Sequence, residues 1–328
     1  MRHGTAAHLV SLAFLTAVVD IGACSGARDA RRLDLDTLDG TLQQKLRLTH
    51  DGEERIFHLF VSNAEGPRPL VFALHGGGGT IDNHIGIGTP WPHQVWLQIA
   101  SEEGLHVVVP QGKDSQWNDC RAECERCGDA DDVGFLVALL DEVASMADVD
   151  RTRVYAVGES NGGFMAQRLA QEVPEHFAGM GVVISAMPAN NDCTAQNVAM
   201  PMIYQVGTED SFIPFEGGTT REQIEVQSNA DSVAYWRDLN GCSADDVRDT
   251  SYDDLDPDDD STAVRRDFTC TEAALSVITI TGAGHVAPSI VVPVSAGWEA
   301  LAGEQNHDIE GAREIWAFFA GEFVDDTP

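Results

Sequence analysis

Residues 153–170 read RVYAVGESNGGFMAQRLA, and this stretch decides the fold. Val154, Tyr155, Ala156 and Val157 form a short apolar run, as a buried strand requires. Phe164 to Ala170 has helical composition. Between them lies Gly158-Glu159-Ser160-Asn161-Gly162. A strand that turns sharply into a helix brings backbones close together, and glycine at both flanks leaves the room. Such a turn lifts the Ser160 oxygen above the sheet. A plain tight turn has the same composition, so five residues alone are a weak signal. The strand before and the helix after make Ser160 a candidate nucleophile.

Working outward, apolar runs recur at residues 70–74, 106–110, 181–184, 202–206 and 275–282. Helical stretches fall between them at 95–103, 133–147, 163–172 and 223–239, and DIEGAREIWAFFAGEF closes the chain as an amphipathic helix. Strand alternating with helix predicts an α/β fold: a mostly parallel central sheet, right-handed crossovers, and helices on both faces. KLRLTHDGEERIFHLFV alternates around His50-Asp51-Gly52, as a hairpin does. No internal repeat is present, and residues 42–328 read as one catalytic domain.

The chain has 328 residues, 53 acidic against 20 basic, and a formal net charge of −33. A field of that sign repels nucleic acid and anionic headgroups and disfavours polyanionic substrates. A solvated acidic surface suited to salty surroundings accounts for it. Residues 1–23 read as a secretory signal of lipoprotein type: Arg2 precedes an apolar run too short for a retained span, and Ile21-Gly22-Ala23-Cys24 has the form of a lipobox. Cys24 is therefore a candidate lipidation site, with 24–41 a polar tether. An ordinary secreted protein is the alternative. Either way the protein is expected to be exported.

Six further cysteines remain: Cys120, Cys124, Cys127, Cys193, Cys242 and Cys270. In an exported chain an even number suggests three disulfides, with the pairing open. Cys242 and Cys270 flank a strand pair. Cys120, Cys124, Cys127 and Cys193 have a zinc-binding alternative, disfavoured by export and by the lack of a nearby histidine. The acidic run DDLDPDDDST (253–262) has calcium-loop spacing at Asp254, Asp256 and Asp258, but Asp259 and Arg265 stand where an EF-hand needs glycine and glutamate. It reads as a solvated hairpin tip. No metal and no cofactor are expected.

A serine hydroxyl needs a base within reach and donors for the oxyanion it creates. VFALHGGGGTIDNH places consecutive glycines after a strand, a nest for negative charge, with no Lys-Ser/Thr to make it a nucleotide loop. An oxyanion hole takes one donor from such a loop and one from the residue after the nucleophile, which nominates the N–H groups of Gly77 and Asn161. His75 shapes the loop. TITGAGHVAP sets His285 just after the last strand, where a base would overhang Ser160. Asp210, in a turn after another strand, is the candidate orienting acid, with Glu209 its rival. The order Ser160, Asp210, His285 is that of α/β-hydrolases.

With these residues in place, the sequence resembles the exported polyhydroxybutyrate depolymerase and feruloyl esterase group of α/β-hydrolases. The motifs that carry the resemblance are PLVFALHGGGG, VVVPQGKDSQWN, DDVGFLVALLDEV, RVYAVGESNGGFMAQRLA, VGTEDSFIPFEGG, GAGH and REIWAFF, spread from about residue 44 to 323. The resemblance implies an α/β-hydrolase fold, a serine esterase with Ser160, Asp210 and His285 as triad, and Gly77 with Asn161 as oxyanion donors. Cysteines at 242 and 270 also fit that group. The group often follows its histidine with Thr-Trp-Pro-Gly, and here Val286-Ala287-Pro288-Ser289 stands instead. The triad assignment stands with this departure, and the group's substrate specificity is what the departure puts in question. Trp91, Trp96, Phe212 and Phe215 are the candidates for a substrate pocket. The expected substrate is a small or oligomeric extracellular ester, feruloyl or acetyl on polysaccharide or a short hydroxyalkanoate, since no polymer-binding module is apparent. A serine peptidase of the same fold and a non-catalytic binding protein are the rival readings.

Overall fold

The computed structural model describes residues 33–122 and 124–321. The signal sequence and Cys24 lie outside them. In chain order the strands are β1 (Gly40–His50), β2 (Glu53–Ser62), β3 (Arg68–Leu74), β4 (His106–Pro110), β5 (Val149–Glu159), β6 (Gly179–Val183), β7 (Met202–Gly207), β8 (Gly218–Thr219), β9 (Glu225–Val226), β10 (Cys242–Ser251), β11 (Thr262–Cys270) and β12 (Leu275–Thr281). The helices are α1 (Ile81–His84), α2 (Val95–Glu103), α3 (Asp132–Met146), α4 (Asn161–Glu172), α5 (Asn229–Leu239), α6 (Ala296–Ala302) and α7 (Gly311–Ala320).

Ten strands form one sheet in the order β1-β2-β4-β3-β5-β6-β7-β12-β11-β10. The six from β4 to β12 run parallel, and antiparallel strands finish both edges. Alternation along β3 shows why both faces need cover. Leu70, Phe72 and Leu74 point into one apolar cluster with α3, α4 and α5, while Val71 and Ala73 point into another with α2 and α7. The alternating runs predict this parallel sheet with helices on both faces, and it has the α/β-hydrolase fold that the family resemblance implies. β1 and β2 meet at Asp51-Gly52, both at positive φ, the geometry of a two-residue hairpin turn.

One predicted helix starts late. Residues 223–228 contain β9, which pairs with β8, and α5 begins only at Asn229, capped by the Ser228 hydroxyl. The acidic run is only in part a solvated tip. Asp259 is buried and accepts from the Ser261 N–H and hydroxyl and from the His307 N–H, while Asp308 accepts from the Leu255 N–H. The cysteines pair as Cys120–Cys193, Cys124–Cys127 and Cys242–Cys270, so none of the six is free to ligate zinc.

β3 connects through α2 to β4 on one side, and α3 then carries the chain back past β3 to β5. The carboxyl ends of β3 and β5 thus lie side by side where the winding reverses, the place where open parallel sheets form crevices.

Candidate active site

Ser160 stands between the last residue of β5 and the first of α4, at φ 54° and ψ −116°. A non-glycine residue there is strained by about 1–3 kcal/mol. Its neighbours explain the glycines. A Cβ on Gly158 would lie 1.9 Å from the Gly162 carbonyl oxygen, and one on Gly162 would lie 2.4 Å from the Leu74 oxygen. The turn is threaded between backbones with no room for a methyl group.

His285 follows β12, its N–H held by the Ala302 carbonyl at the end of α6. Its Nε2 lies 3.0 Å from Ser160 Oγ and its Nδ1 2.7 Å from Asp210 Oδ2. Asp210 Oδ1 accepts from the N–H groups of Phe212 and Ile213, both at 2.8 Å, which fixes the carboxylate toward the imidazole. Glu209, the rival acid, is exposed. Asp210 and His285 are both buried. With Nδ1–H donated to Asp210, Nε2 is left to accept from the Ser160 hydroxyl.

His75 is otherwise engaged. Its Nδ1 donates to the Gly76 carbonyl, and its Nε2 accepts from both the Gln111 amide and the Gly112 N–H. Burial pushes its pKa down to about 4, so the ring is neutral and serves to shape the loop. In that loop the N–H groups of Gly78 and Gly79 are taken by the carbonyls of Ser115 and Gly76. Gly77 makes no such bond among the described residues, and the N–H of Asn161, first in α4, has no partner within its helix. The side chain of Asn161 is pinned: Oδ1 accepts from the Trp117 N–H, and Nδ2 donates to Asp119, itself paired with Arg121. Trp117, near the end of the motif VVVPQGKDSQWN, and Asp119 just beyond it thus brace the residue after Ser160.

These groups open onto a cavity of about 760 Å³ lined by the 75–80 loop, Ser160, Asn161 and His285. Two of the four predicted pocket aromatics are there, Trp91 and Phe212, with Phe212 stacked 4.8 Å from His285. The other two are not. Trp96 is fully buried in the core beneath α2, and Phe215 packs against the core on the other face of the sheet. Trp298 of α6 takes a place that the sequence did not announce, edge-on to Trp91 at 5.6 Å. Sequence reasoning also passed over Glu159. Its buried carboxylate accepts from Trp91 Nε1 at 2.9 Å and lies 3.1 Å from His93 Nε2. Burial alone would raise its pKa, yet close polar contact with His93, the charge of His93 and the Trp91 N–H hold it below the usual value.

Fold and cavity define an α/β-hydrolase with a Ser–His–Asp cluster at the carboxyl end of its sheet. No family model matches the chain. Among curated proteins it is 32% identical over 157 residues to the one from Nocardia uniformis subsp. tsuyamanensis that carries the name "Putative esterase NocK", covering 47% of this chain and 43% of that one. It is 26% identical over 221 residues to "Probable feruloyl esterase C" of Aspergillus clavatus, covering 67% and 70%. A poly(3-hydroxybutyrate) depolymerase of Ralstonia pickettii is 32% identical over 141 residues, 40% of this chain and 28% of that one. The chain thus spans less than half the length of the first and last of these relatives. Similarity to the feruloyl esterase and polyhydroxybutyrate depolymerase group, suggested by the motifs, is carried by these matches too. The acetyl xylan esterase from Aspergillus awamori shares the fold, with a TM-score of 0.53 at 15% identity over 85% of this chain and 99% of that one.

Proposed function

We propose that the chain is an exported serine carboxylic-ester hydrolase working through an acyl-enzyme. The reading rests on one observation: a single buried imidazole, His285, hydrogen-bonds at once to the Ser160 hydroxyl and the Asp210 carboxylate. In this reading His285 Nε2 takes the Ser160 proton as Oγ attacks the ester carbonyl. The carbonyl oxygen becomes an oxyanion held by the N–H groups of Gly77 and Asn161. His285 then gives its proton to the departing alkoxide as the C–O bond breaks. Water, losing a proton to the same imidazole, attacks the acyl carbonyl. The acid leaves and Ser160 regains its hydrogen.

Walls of Trp91, Phe212 and Trp298 support an acyl group that is flat or short, of feruloyl or acetyl type, with hydroxyalkanoates as the second class. Three disulfides support an oxidising compartment outside the cytoplasm. Among the described residues no helix is long and apolar enough to cross a membrane.

The test is a fluorophosphonate probe with a panel of methyl ferulate, p-nitrophenyl acetate, a hydroxybutyrate dimer and a peptide amide. We expect labelling and ester turnover in the parent, and neither in Ser160→Ala at unchanged melting temperature. Wild-type turnover by Ser160→Ala, or cleavage of the amide in preference to every ester, overturns the reading.

A further inference from the structure

We propose that His84, His93 and Glu159 form a divalent-cation site of the zinc class on the wall of the cavity, beside the nucleophile turn. The three side chains come from the end of α1, the turn before α2 and the last residue of β5. All three are buried, and one donor atom of each falls within 4.8 Å of the others. His93 Nε2 is 3.1 Å and His84 Nδ1 is 3.8 Å from Glu159 Oε2. A tetrahedral ion with bonds near 2.0–2.1 Å sets its ligand atoms about 3.3 Å apart, so these separations are edges of such a polyhedron.

The hydrogen bonding points the same way. Despite the 3.1 Å approach, His93 Nε2 has no hydrogen-bond partner: nitrogen and oxygen lie side by side, out of line for N–H···O. Two ligands aimed at a common third point stand in that relation. Orphaned polar atoms of this kind cost about 1–3 kcal/mol each in a folded protein. The His84 and His93 rings stack at 4.5 Å. The Trp91 N–H on Glu159 Oε2 is the outer hydrogen bond that orients a ligating carboxylate. Two nitrogens and one carboxylate oxygen suit zinc or cobalt(II) and leave one corner for water. Since His84 and Glu159 both line the cavity, that water comes from the cavity side. Held there, the ion ties residues 84–93, with Trp91, to the residue preceding Ser160.

The experiment uses the full chain, stripped with a chelator and dialysed against zinc or cobalt(II). We expect about one ion retained per chain by elemental analysis, a visible cobalt spectrum of tetrahedral type, and a higher melting temperature with zinc. His84→Ala, His93→Ala and Glu159→Gln should each weaken retention by 100-fold or more, whereas His50→Ala, at the separate His50/Asp51/Asp131 group, should keep it. Folding of the variants is checked by circular dichroism. A folded parent that holds no ion above trace, or retention in folded His84→Ala and His93→Ala equal to that of the parent, overturns the proposal. Fluorophosphonate labelling of Ser160 in the stripped protein reports separately on the esterase reading.

Discussion

At the residue scale, the turn at Ser160 shows how little freedom the sequence has there. Gly162 sits under the Leu74 and His75 carbonyls, 2.4 and 2.7 Å from where a Cβ would be. Those are backbone atoms of β3 and its following loop, so the clash cannot be relieved by a rotamer. Gly162→Ala should therefore lower stability by several kcal/mol, read as a lost midpoint in urea unfolding. An unchanged midpoint would mean that the turn is looser than it stands here. Asp210→Asn tests a different property. The amide keeps the shape but loses the charge that stabilises the imidazolium and offers a donor to Nδ1, which favours the wrong tautomer. Turnover should drop by about 10³–10⁴-fold with little change in melting temperature. A loss under tenfold would remove Asp210 from the proposed role. These residues were legible because each has a local signature: glycines around a serine, a histidine or an aspartate just past a strand. Trp96 and Trp298 were not. Whether a tryptophan faces a cavity or a core depends on the helix phase of α2 and on α6 being folded back over His285, and neither is written in residue type. His84, His93 and Glu159 share that fate: nothing in a His-x8-His spacing, with a glutamate far downstream, says that the three converge.

At the element scale, prediction followed periodicity where one face or both are buried. β4 runs from 106 to 110 as the apolar run does, because a central parallel strand is apolar throughout. The error at 223–228 has another cause. Gln223-Ile224-Glu225-Val226 alternates, with Ile224 and Val226 buried and Glu225 exposed, and that strand period is too short to stand out ahead of the helix. Two elements at the rim carry predictions. Cys242 and Cys270 are register partners on β10 and β11, 28 residues apart. Replacing both with serine opens that loop and should destabilise by roughly 3–4 kcal/mol on chain entropy. Coincident denaturation curves for parent and variant would refute it. Glu310, just ahead of α7, accepts from the Ser289 hydroxyl and from the N–H groups of Ile290 and Val291, so it fastens the loop that follows His285. Burial pushes its pKa from 4.5 up to about 7. The folded state therefore prefers the protonated carboxyl. Its contribution is full below about pH 4.5 and is lost as pH rises through about 7, on the order of 3 kcal/mol in all. His75 works in the other direction, losing its contribution as pH falls from 6.5 through about 4. The isolating measurement is a difference: Glu310→Gln minus parent, melting temperature against pH. Gln is the neutral isostere, so the gap should be small near pH 5 and widen in the variant's favour toward pH 8, and a constant gap would exclude the mechanism.

At the scale of the whole molecule, an α/β alternation and a chain order of serine, aspartate and histidine were enough to set the architecture. The order of strands places the ends of β3 and β5 together, so the loop of glycines and the serine turn meet without either sequence mentioning the other. The surface is a separate matter. A net charge of −33 on 328 residues means that folding packs like charges closer than the unfolded chain does. Many pairs that could offset this are exposed, such as Arg151 with Asp141 and Arg266 with Asp249, and such pairs contribute little each. Repulsion should therefore outweigh them. The Debye length shrinks from about 14 Å near 0.05 M salt to about 3 Å at 1 M, which screens charges spread over a surface more than it screens contact pairs. Melting temperature should rise steadily over that range in sodium chloride, most steeply at the low end, where repulsion over 10 Å and more is removed first. Because chloride and sodium at these levels are weak in excluding themselves from protein surfaces, a rise confined to the high end would point to solvation in place of charge. A melting temperature that falls with salt would show that the contact pairs dominate, and the acidic surface would then need another explanation.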